Sequence, residues 1–436
     1  MTWPAKENIL DLRRSHLAPS LSISYKEPLH IVRGAGQYLY DDQGREYLDG
    51  VNNIQHVGHC HPAVIKAAHE QYEKLNTNTR YLNDTIVQYA RELTSHLPKG
   101  LDVCYFTNSG SESNDLALRL ARHFTKSRET IVVDSAYHGH TGALIEISPY
   151  KFDGPGGSGA PDFVHTIPRP DPFRGKYRGP ESAADYLYEV EKVLNRIQKE
   201  GQRPGAMVAE PLMGCGGQIV FPEGFLKGAF EQVRQAGGLC IADEVQIGFG
   251  RMGSHFWGFE TAKAVPDIVT VGKSMGNGHP LSAVITTREI ADRFQNGMEY
   301  FNSFGGNPVS CAVGRAVLGV IREEKLQKRA LEVGNHLSNL LVKLKEKHSL
   351  IGDVRGRGLF LGVELNRDPV TLEPAGAEAD RVINEMKENG ILLSTDGPDH
   401  NVIKIKPPLV FNVENAHFLA ETLDYILTRI TQKMKG

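Results

Sequence analysis

Five short apolar runs, set between amphipathic helical stretches, constrain this chain more than any other feature. They are Val103-Cys104-Tyr105-Phe106, Thr130-Ile131-Val132-Val133, Ala206-Met207-Val208-Ala209, Leu239-Cys240-Ile241-Ala242 and Ile268-Val269-Thr270-Val271. Each is too short for a helix and lacks the polar alternation of a half-exposed strand, so each reads as a strand covered on both faces. Helical patterns lie between them at 113–124, 183–200 and 224–235. Strands that alternate with helices predict an α/β layer with a mainly parallel sheet.

The flanks have a different texture. Runs at 30–32 and 37–40, the turn Asp41-Asp42-Gln43-Gly44 and a run at 46–48 predict a small antiparallel sheet. After residue 326 come a helix to 347, strand-like runs at 359–365, 391–394 and 402–405, a helix at 377–389 and a last helix from 413. These predict a second, smaller α+β unit. The Gly- and Pro-rich stretches 153–161 and 168–178 are expected to be long loops of the kind that border a site.

With 436 residues, 40% hydrophobic and 23% charged, the chain can bury a large core. The net charge of -3 and the lack of a long Lys/Arg run give no reason to expect nucleic acid or an anionic membrane as partner, so a small metabolite is the expected ligand. The five cysteines are widely spaced and contain no Cys-x-x-Cys pair, which suggests neither a disulfide framework nor a zinc site and fits a reducing, cytoplasmic setting. Residues 1–16 lack an apolar core, and no later stretch approaches the length of a membrane span.

Several motifs sit where chemistry is usual. Asn108-Ser109-Gly110-Ser111-Glu112 follows a strand and opens a helix, so its free N–H groups and hydroxyls could cup a phosphate, or Ser109 could be an ordinary cap. Asp243 and Glu244 stand at the carboxyl end of an apolar run, where α/β sheets bind ligands, as metal ligand, base, partner of a protonated ring nitrogen, or cap. Gly272-Lys273-Ser274 resembles the end of a Walker loop, but Asp267 occupies the place of its first glycine, which removes the main support for nucleotide hydrolysis. Gly154, Gly156 and Gly159 have dinucleotide-loop spacing without a preceding strand. His56, His59, Cys60 and His61 are too closely spaced to converge on one ion, and read as a turn leading to Pro62 at a helix start. Tyr137-His138-Gly139-His140 could offer an aromatic plate to a flat ligand or simply pack the core.

Taken together, the motifs resemble the class III group of pyridoxal-phosphate enzymes, usually aminotransferases of fold type I. The residues that carry the resemblance are Gly58-His59-Cys60-His61-Pro62, Asn108 to Glu112, Tyr137-His138-Gly139, Ala209-Glu210-Pro211, Asp243-Glu244-Val245-Gln246 with Gly248-Phe249-Gly250-Arg251, Gly272-Lys273 and Gly305-Gly306-Asn307-Pro308, in the family's order and spacing. It implies a large cofactor-binding domain of residues 56–314 with a mainly parallel seven-stranded sheet, and a small domain built from 1–55 and 315–436. It also implies pyridoxal 5'-phosphate held as a Schiff base on Lys273, which then serves as the base at the amino-bearing carbon. Asp243 would keep the pyridine nitrogen protonated. Ser109, Gly110 and Ser111 would hold the phosphate, Tyr137 and Val245 would cover the two ring faces, and Gln246 would meet the ring hydroxyl. His138 and Glu210 complete the expected cofactor set. Ser303 falls where the family commonly has a Thr that reaches the neighbouring subunit's phosphate, so a homodimer with shared sites is expected.

Within that family the chain is most similar to the ethanolamine-phosphate and phosphohydroxylysine phospho-lyase branch, through stretches such as 52–62, 75–78, 147–152, 174–178, 276–280 and 403–408. Many class III aminotransferases place an Arg before the Pro-Pro-Leu turn to clamp a carboxylate. This chain has Lys404 there, a point charge without the fork. The expectation is therefore elimination of phosphate from O-phosphoethanolamine, giving acetaldehyde and ammonia, with aminotransfer from an ω-amino acid or alanine, or phospho-lyase action on 5-phosphohydroxylysine, as alternatives. Arg80, Lys404 and Lys406, with Lys176 and Arg178 on a loop, are the candidate ligands for the phosphate of a small phosphorylated amine. No metal is expected at the site.

Overall fold

A computed structural model describes residues 4–435. A seven-stranded sheet forms its centre, in the spatial order Val103–Thr107, Ser282–Thr286, Ile268–Val271, Leu239–Asp243, Ala206–Ala209, Thr130–Val133 and Val164–Ile167. All neighbours are parallel except Ser282–Thr286, which runs antiparallel to both of its partners. The expected mainly parallel sheet and α/β architecture are both present.

Strand periodicity explains why the runs are apolar throughout. Ile131 and Val133 pack with Val190, Leu194 and Phe230 of the helices Ala183–Lys199 and Phe225–Gln235. Val132, between them, packs with Leu116 and Leu120 of the helix Gly110–Thr125 on the opposite side. Successive side chains thus enter different cores, and neither face of the sheet has room for a polar stripe.

Two smaller sheets lie outside this layer. Ile31–Ala35, Tyr38–Asp41 and Glu46–Asp49 form the antiparallel ribbon expected near the N-terminus, and Ile391–Leu392 adds to it in parallel beside Glu46–Asp49. Ile351–Arg357, Phe360–Leu365, Val402–Ile405 and Ser394–Asp396 form an antiparallel sheet. The helices Leu326–Lys347, Gly376–Glu388 and Val413–Lys435 accompany it. N- and C-terminal segments therefore share a sheet. Among the described residues no helix is long and apolar enough to cross a membrane.

The Gly248-Phe249-Gly250-Arg251 motif ties the layers together. Arg251 is fully buried, and its Nη1 donates to the carbonyls of Leu359 at 2.9 Å and Pro407 at 2.8 Å. The closely spaced histidines part company: His56 Nε2 meets the Phe249 carbonyl at 2.7 Å, His59 Nε2 meets Asp49 at 2.7 Å, and His61 caps the helix that begins at Pro62. The stretch 168–178 is pinned to the smaller sheet, because Arg174 donates to Glu364 and Asn366.

Candidate active site

The site forms at the carboxyl end of the central strands. Two acids end Leu239–Asp243 and its continuation, and the alternation of a strand sends them apart. Glu244 accepts the backbone N–H groups of Gly258 at 2.9 Å and Phe259 at 2.8 Å, a purely structural cap. Asp243 turns into a buried polar cluster. Its Oδ2 accepts from Asn114 Nδ2 at 2.8 Å and meets His138 Nδ1 at 2.8 Å, while Oδ1 accepts from the backbone N–H of Val245 at 3.2 Å. Asn114 is itself oriented by Thr270 Oγ1, which donates to its Oδ1 at 2.6 Å. The carboxylate is thus fixed in direction by three elements.

The helix Gly110–Thr125 begins directly over this cluster. Ser109 is its N-cap and accepts from Glu112 N at 3.2 Å, while Glu112 reaches back to accept from Asn108 N at 3.1 Å. The first N–H groups of a helix have no partner within it, so those of Gly110 and Ser111 remain for a ligand, in the favourable field of the helix start. Beneath them Thr107 Oγ1, Ser113 Oγ and Ser282 Oγ form a hydroxyl chain with steps of 2.7 Å, locking the helix start to two strands. Ser111 Oγ accepts from His140 N at 3.2 Å, so the Tyr137-His138-Gly139-His140 turn is moored to the same helix.

Lys273 leaves the strand Ile268–Val271 through Gly272 and takes a φ of 28°, a left-handed conformation that a residue with a side chain adopts at a cost. Gly272 is demanded by closeness: a Cβ there would lie 3.2 Å from both Gly110 N and Ser282 Oγ. The strained lysine is held in a cavity of about 330 Å³.

The residues around that cavity fit pyridoxal 5'-phosphate. Ser109, Gly110, Ser111, Tyr137, His138, Asp243, Val245, Gln246 and Lys273 all line it. Gly110 leaves a cradle against Val245, since an added Cβ would sit 2.9 Å from both Val245 methyl carbons. An acid beside a free helix start and a lysine supplies the three chemical contacts that a pyridinium, a phosphate and an aldehyde require. Two buried atoms also lack a hydrogen-bond partner, His138 Nε2 and Glu210 Oε1. Glu210 Oε2 accepts from Gly214 N at 2.9 Å, and burial, with the neighbouring Asp243 charge, pushes its carboxyl up to about 7.

Other expected residues fall elsewhere. Ser303 is exposed on the turn 301–304, which Asn302 latches to Asn108 and Glu112, and it does not line the cavity. Arg80 forms a two-pronged contact with Glu299 at 3.0 Å and stacks 4.2 Å from the centre of the Phe301 ring, also outside the cavity. Lys176 pairs with Glu189 at 2.9 Å, away from the site. Lys404 and Lys406 share one carboxylate: Asp396 lies 2.9 Å from Lys404 Nζ and 3.3 Å from Lys406 Nζ, and also accepts from Gln218 Nε2 at 2.7 Å.

Neither Lys404 nor Lys406 lines the cavity, but Lys406 is close enough to Lys273 to feel its charge. Lys406 is fully buried; burial lowers its proton affinity, only partly offset by Asp396, and Lys404 and Lys273 add their repulsion. Lys404 loses affinity by burial but gains more from Asp396, and ends above the usual lysine range. Nearby, burial pushes the Tyr150 phenol up, and the Lys404 charge offsets this only in part. Both lysines act on Cys215, whose thiol burial pushes up to about 12, along with Asp396 and Glu210. Asn114, Gln218, Asp396 and Asn53, which donates to Gln246 Oε1 at 2.6 Å, were not expected from the sequence. Asn114 carried one signal: it is an uncharged polar residue one turn into a helix, immediately before the face that packs the core.

Comparison with known proteins agrees with this geometry. The class-III aminotransferase family model matches residues 22–427. An alanine–glyoxylate aminotransferase 2-like protein of Drosophila melanogaster is 49% identical over 98% of this chain and 88% of its own length. Ethanolamine-phosphate phospho-lyase homolog 1 of Caenorhabditis elegans is 43% identical over 97% of this chain and 94% of its own. A solved phospholyase from Arthrobacter in complex with phosphoethanolamine superposes with a TM-score of 0.92 at 39% identity, covering 96% of this chain and 99% of that one. The chain belongs to the class-III aminotransferase family, with the fold type I architecture and pyridoxal 5'-phosphate as its cofactor.

Proposed function

We propose that the enzyme is a phospho-lyase that converts O-phosphoethanolamine and water to acetaldehyde, ammonia and inorganic phosphate. The observation that carries this reading is the Lys404–Asp396–Lys406 cluster, whose Lys406 is within reach of the Lys273 charge: two ammonium groups on one carboxylate leave a net positive charge for a phosphate, without the planar fork that suits a carboxylate. The relatives named for phosphoethanolamine chemistry support it.

When bound, the cofactor supplies an electron sink for the pair released at the amino-bearing carbon. The protein supplies the rest. Asp243, held by Asn114 and His138, keeps a proton on the ring nitrogen. Lys273 Nζ takes the proton from the amino-bearing carbon. That electron pair then breaks the C–O bond on the adjacent carbon, and phosphate leaves with the bonding electrons toward the Lys404 ammonium. Water completes the release of ammonia and aldehyde, so no amino acceptor is consumed.

Aminotransfer is the second reading, favoured by the relatives named as alanine–glyoxylate aminotransferases. A product assay separates the two: holoenzyme with phosphoethanolamine and no keto acid should release phosphate and acetaldehyde in equal amounts over many turnovers. Turnover only when a keto acid is supplied would overturn the lyase assignment. We further propose a homodimer joined through the surface that carries exposed Tyr81, Leu82, Phe301 and Phe304, which would bring Arg80 and Ser303 toward the partner's site.

A further inference from the structure

The strand Glu46–Asp49 ends in a buried carboxylate that shapes the loop after it. Asp49 Oδ1 accepts from the backbone N–H groups of Val51 at 3.1 Å and Asn52 at 2.8 Å, while Oδ2 meets His59 Nε2 at 2.7 Å. Lys406 N donates to the Gly50 carbonyl at 2.8 Å, which ties the loop to the chain just after Val402–Ile405 as well. Held at these points, the loop brings two residues to the cofactor site: Ile54, which lines the cavity, and Asn53, which is buried behind it.

Asn53 meets Gln246 through one end of its amide. Its Nδ2 lies 3.4 Å from the Gln246 backbone carbonyl and 2.6 Å from Gln246 Oε1. The chemistry of those two neighbours fixes which way both side chains point. A backbone carbonyl only accepts, so the Asn53 end that it faces is the NH2 group. The same group donates to the Gln246 side chain, whose near atom is therefore the oxygen, and the NH2 end of Gln246 is left on the other side. Gln246 lines the cavity, and Gly214 leaves room beside its Nε2, since a Cβ on Gly214 would lie 3.3 Å from that nitrogen.

We infer that Asn53 is a positioning residue for the cofactor: it keeps the donating Nε2 of Gln246, and not Oε1, toward the ring hydroxyl that Gln246 is expected to meet, so that the ring oxygen is favoured in its ionised form. This holds whether phosphate elimination or aminotransfer follows. The two ends of a glutamine amide have nearly the same shape, so packing alone does not choose between them, and a hydrogen bond from outside the cavity does. Without Asn53 the amide is free to turn over and set its oxygen against the ring oxygen, lone pair to lone pair.

The test is titration of apoenzyme with pyridoxal 5'-phosphate, followed by protein fluorescence, with the absorbance spectrum of the bound cofactor recorded at saturation. Gln246→Ala and Asn53→Ala should each raise the dissociation constant about 2- to 12-fold, the range of one hydrogen bond, and should shift the spectrum alike. The double variant should be no worse than Gln246→Ala, because Asn53 acts only through that side chain. Asn53→Asp keeps the shape but only accepts, which turns Gln246 Oε1 into the cavity, so it should bind the cofactor at least as weakly as Asn53→Ala. Losses that add in the double variant, or wild-type binding by Asn53→Asp, would reduce Asn53 to packing and overturn its positioning role. Wild-type binding by Gln246→Ala would overturn it one step earlier, at the contact of Gln246 with the ring.

Discussion

Replacing Lys404 by Ala should damage handling of a phosphorylated substrate while leaving the fold and the cofactor in place. Asp396 loses one partner but keeps Gln218 Nε2 at 2.7 Å and Lys406 Nζ at 3.3 Å, so it is not left as a bare buried charge. The Lys404 side chain is only 22% exposed, and removing one of three bonds in such a network should cost about 1 kcal/mol of stability. The loss at the substrate is larger. A charge-assisted hydrogen bond to phosphate contributes about 1.5–3 kcal/mol, which corresponds to an increase in KM for phosphoethanolamine of about 10- to 150-fold. The assay is steady-state phosphate release, with the cofactor's absorbance change on mixing with a non-phosphorylated amine as reference. That reference rate should be unaffected, and Lys404→Arg should recover much of the lost affinity because the charge returns. Equal losses with both amines would show Lys404 to be merely structural, and no loss with either would refute its contact with phosphate.

Asp396→Asn is expected to be far more harmful than Lys404→Ala, since it strands the fully buried Lys406; a loss of about 3–5 kcal/mol should appear in urea denaturation, and adding Lys406→Met should recover most of it. The lysines hold the Asp396 carboxyl below its usual range against the opposing effect of burial, so its contribution is present above about pH 4 and fades as pH falls through its lowered value. Glu210 has the opposite sign: a carboxyl raised from 4.5 to about 7 stabilises the fold below pH 4.5, and that contribution is lost as pH rises toward 7 and beyond. At about 1.4 kcal/mol per tenfold change in proton affinity this amounts to roughly 3 kcal/mol, and apo Glu210→Gln should show a flatter stability profile than wild type between those pH values; parallel profiles would contradict the assignment. Gly110→Ala puts a methyl 2.9 Å from both Val245 methyl carbons and should weaken cofactor retention on dialysis, with overpacking costs of about 1–3 kcal/mol.

The sheet was legible where strands are apolar on both faces and obscure where they are not. Thr130–Val133 and Ile268–Val271 consist of residues that only a doubly covered strand would bury. Val164–Ile167 is short and carries a polar His165, whose Nε2 meets Glu129 at 2.6 Å, so it lacks the apolar run that marks the other strands. Ile351–Arg357 carries two glycines and three charged residues, so no apolar run marks it, and Arg355 pairs with Glu364 on the adjacent strand. The site divides in the same way. Asp243, Lys273 and the Ser109-Gly110-Ser111 cup each stand at the end of a recognisable strand, so local pattern finds them. Asn114 and Gln218 act on carboxylates 129 and 178 residues away, and no local pattern encodes such a pairing. Lys404 was singled out by its place before Pro407-Pro408, but Asp396, which gives its charge a direction, could be found only in the fold.

The most direct test of the account is to reduce the holoenzyme with borohydride, digest it and locate the pyridoxyl group by mass spectrometry. The group should be found on Lys273 alone, and Lys273→Ala should yield no labelled peptide while retaining its fold. A pyridoxyl group on Lys404, Lys406 or any other lysine of the wild-type enzyme would contradict it.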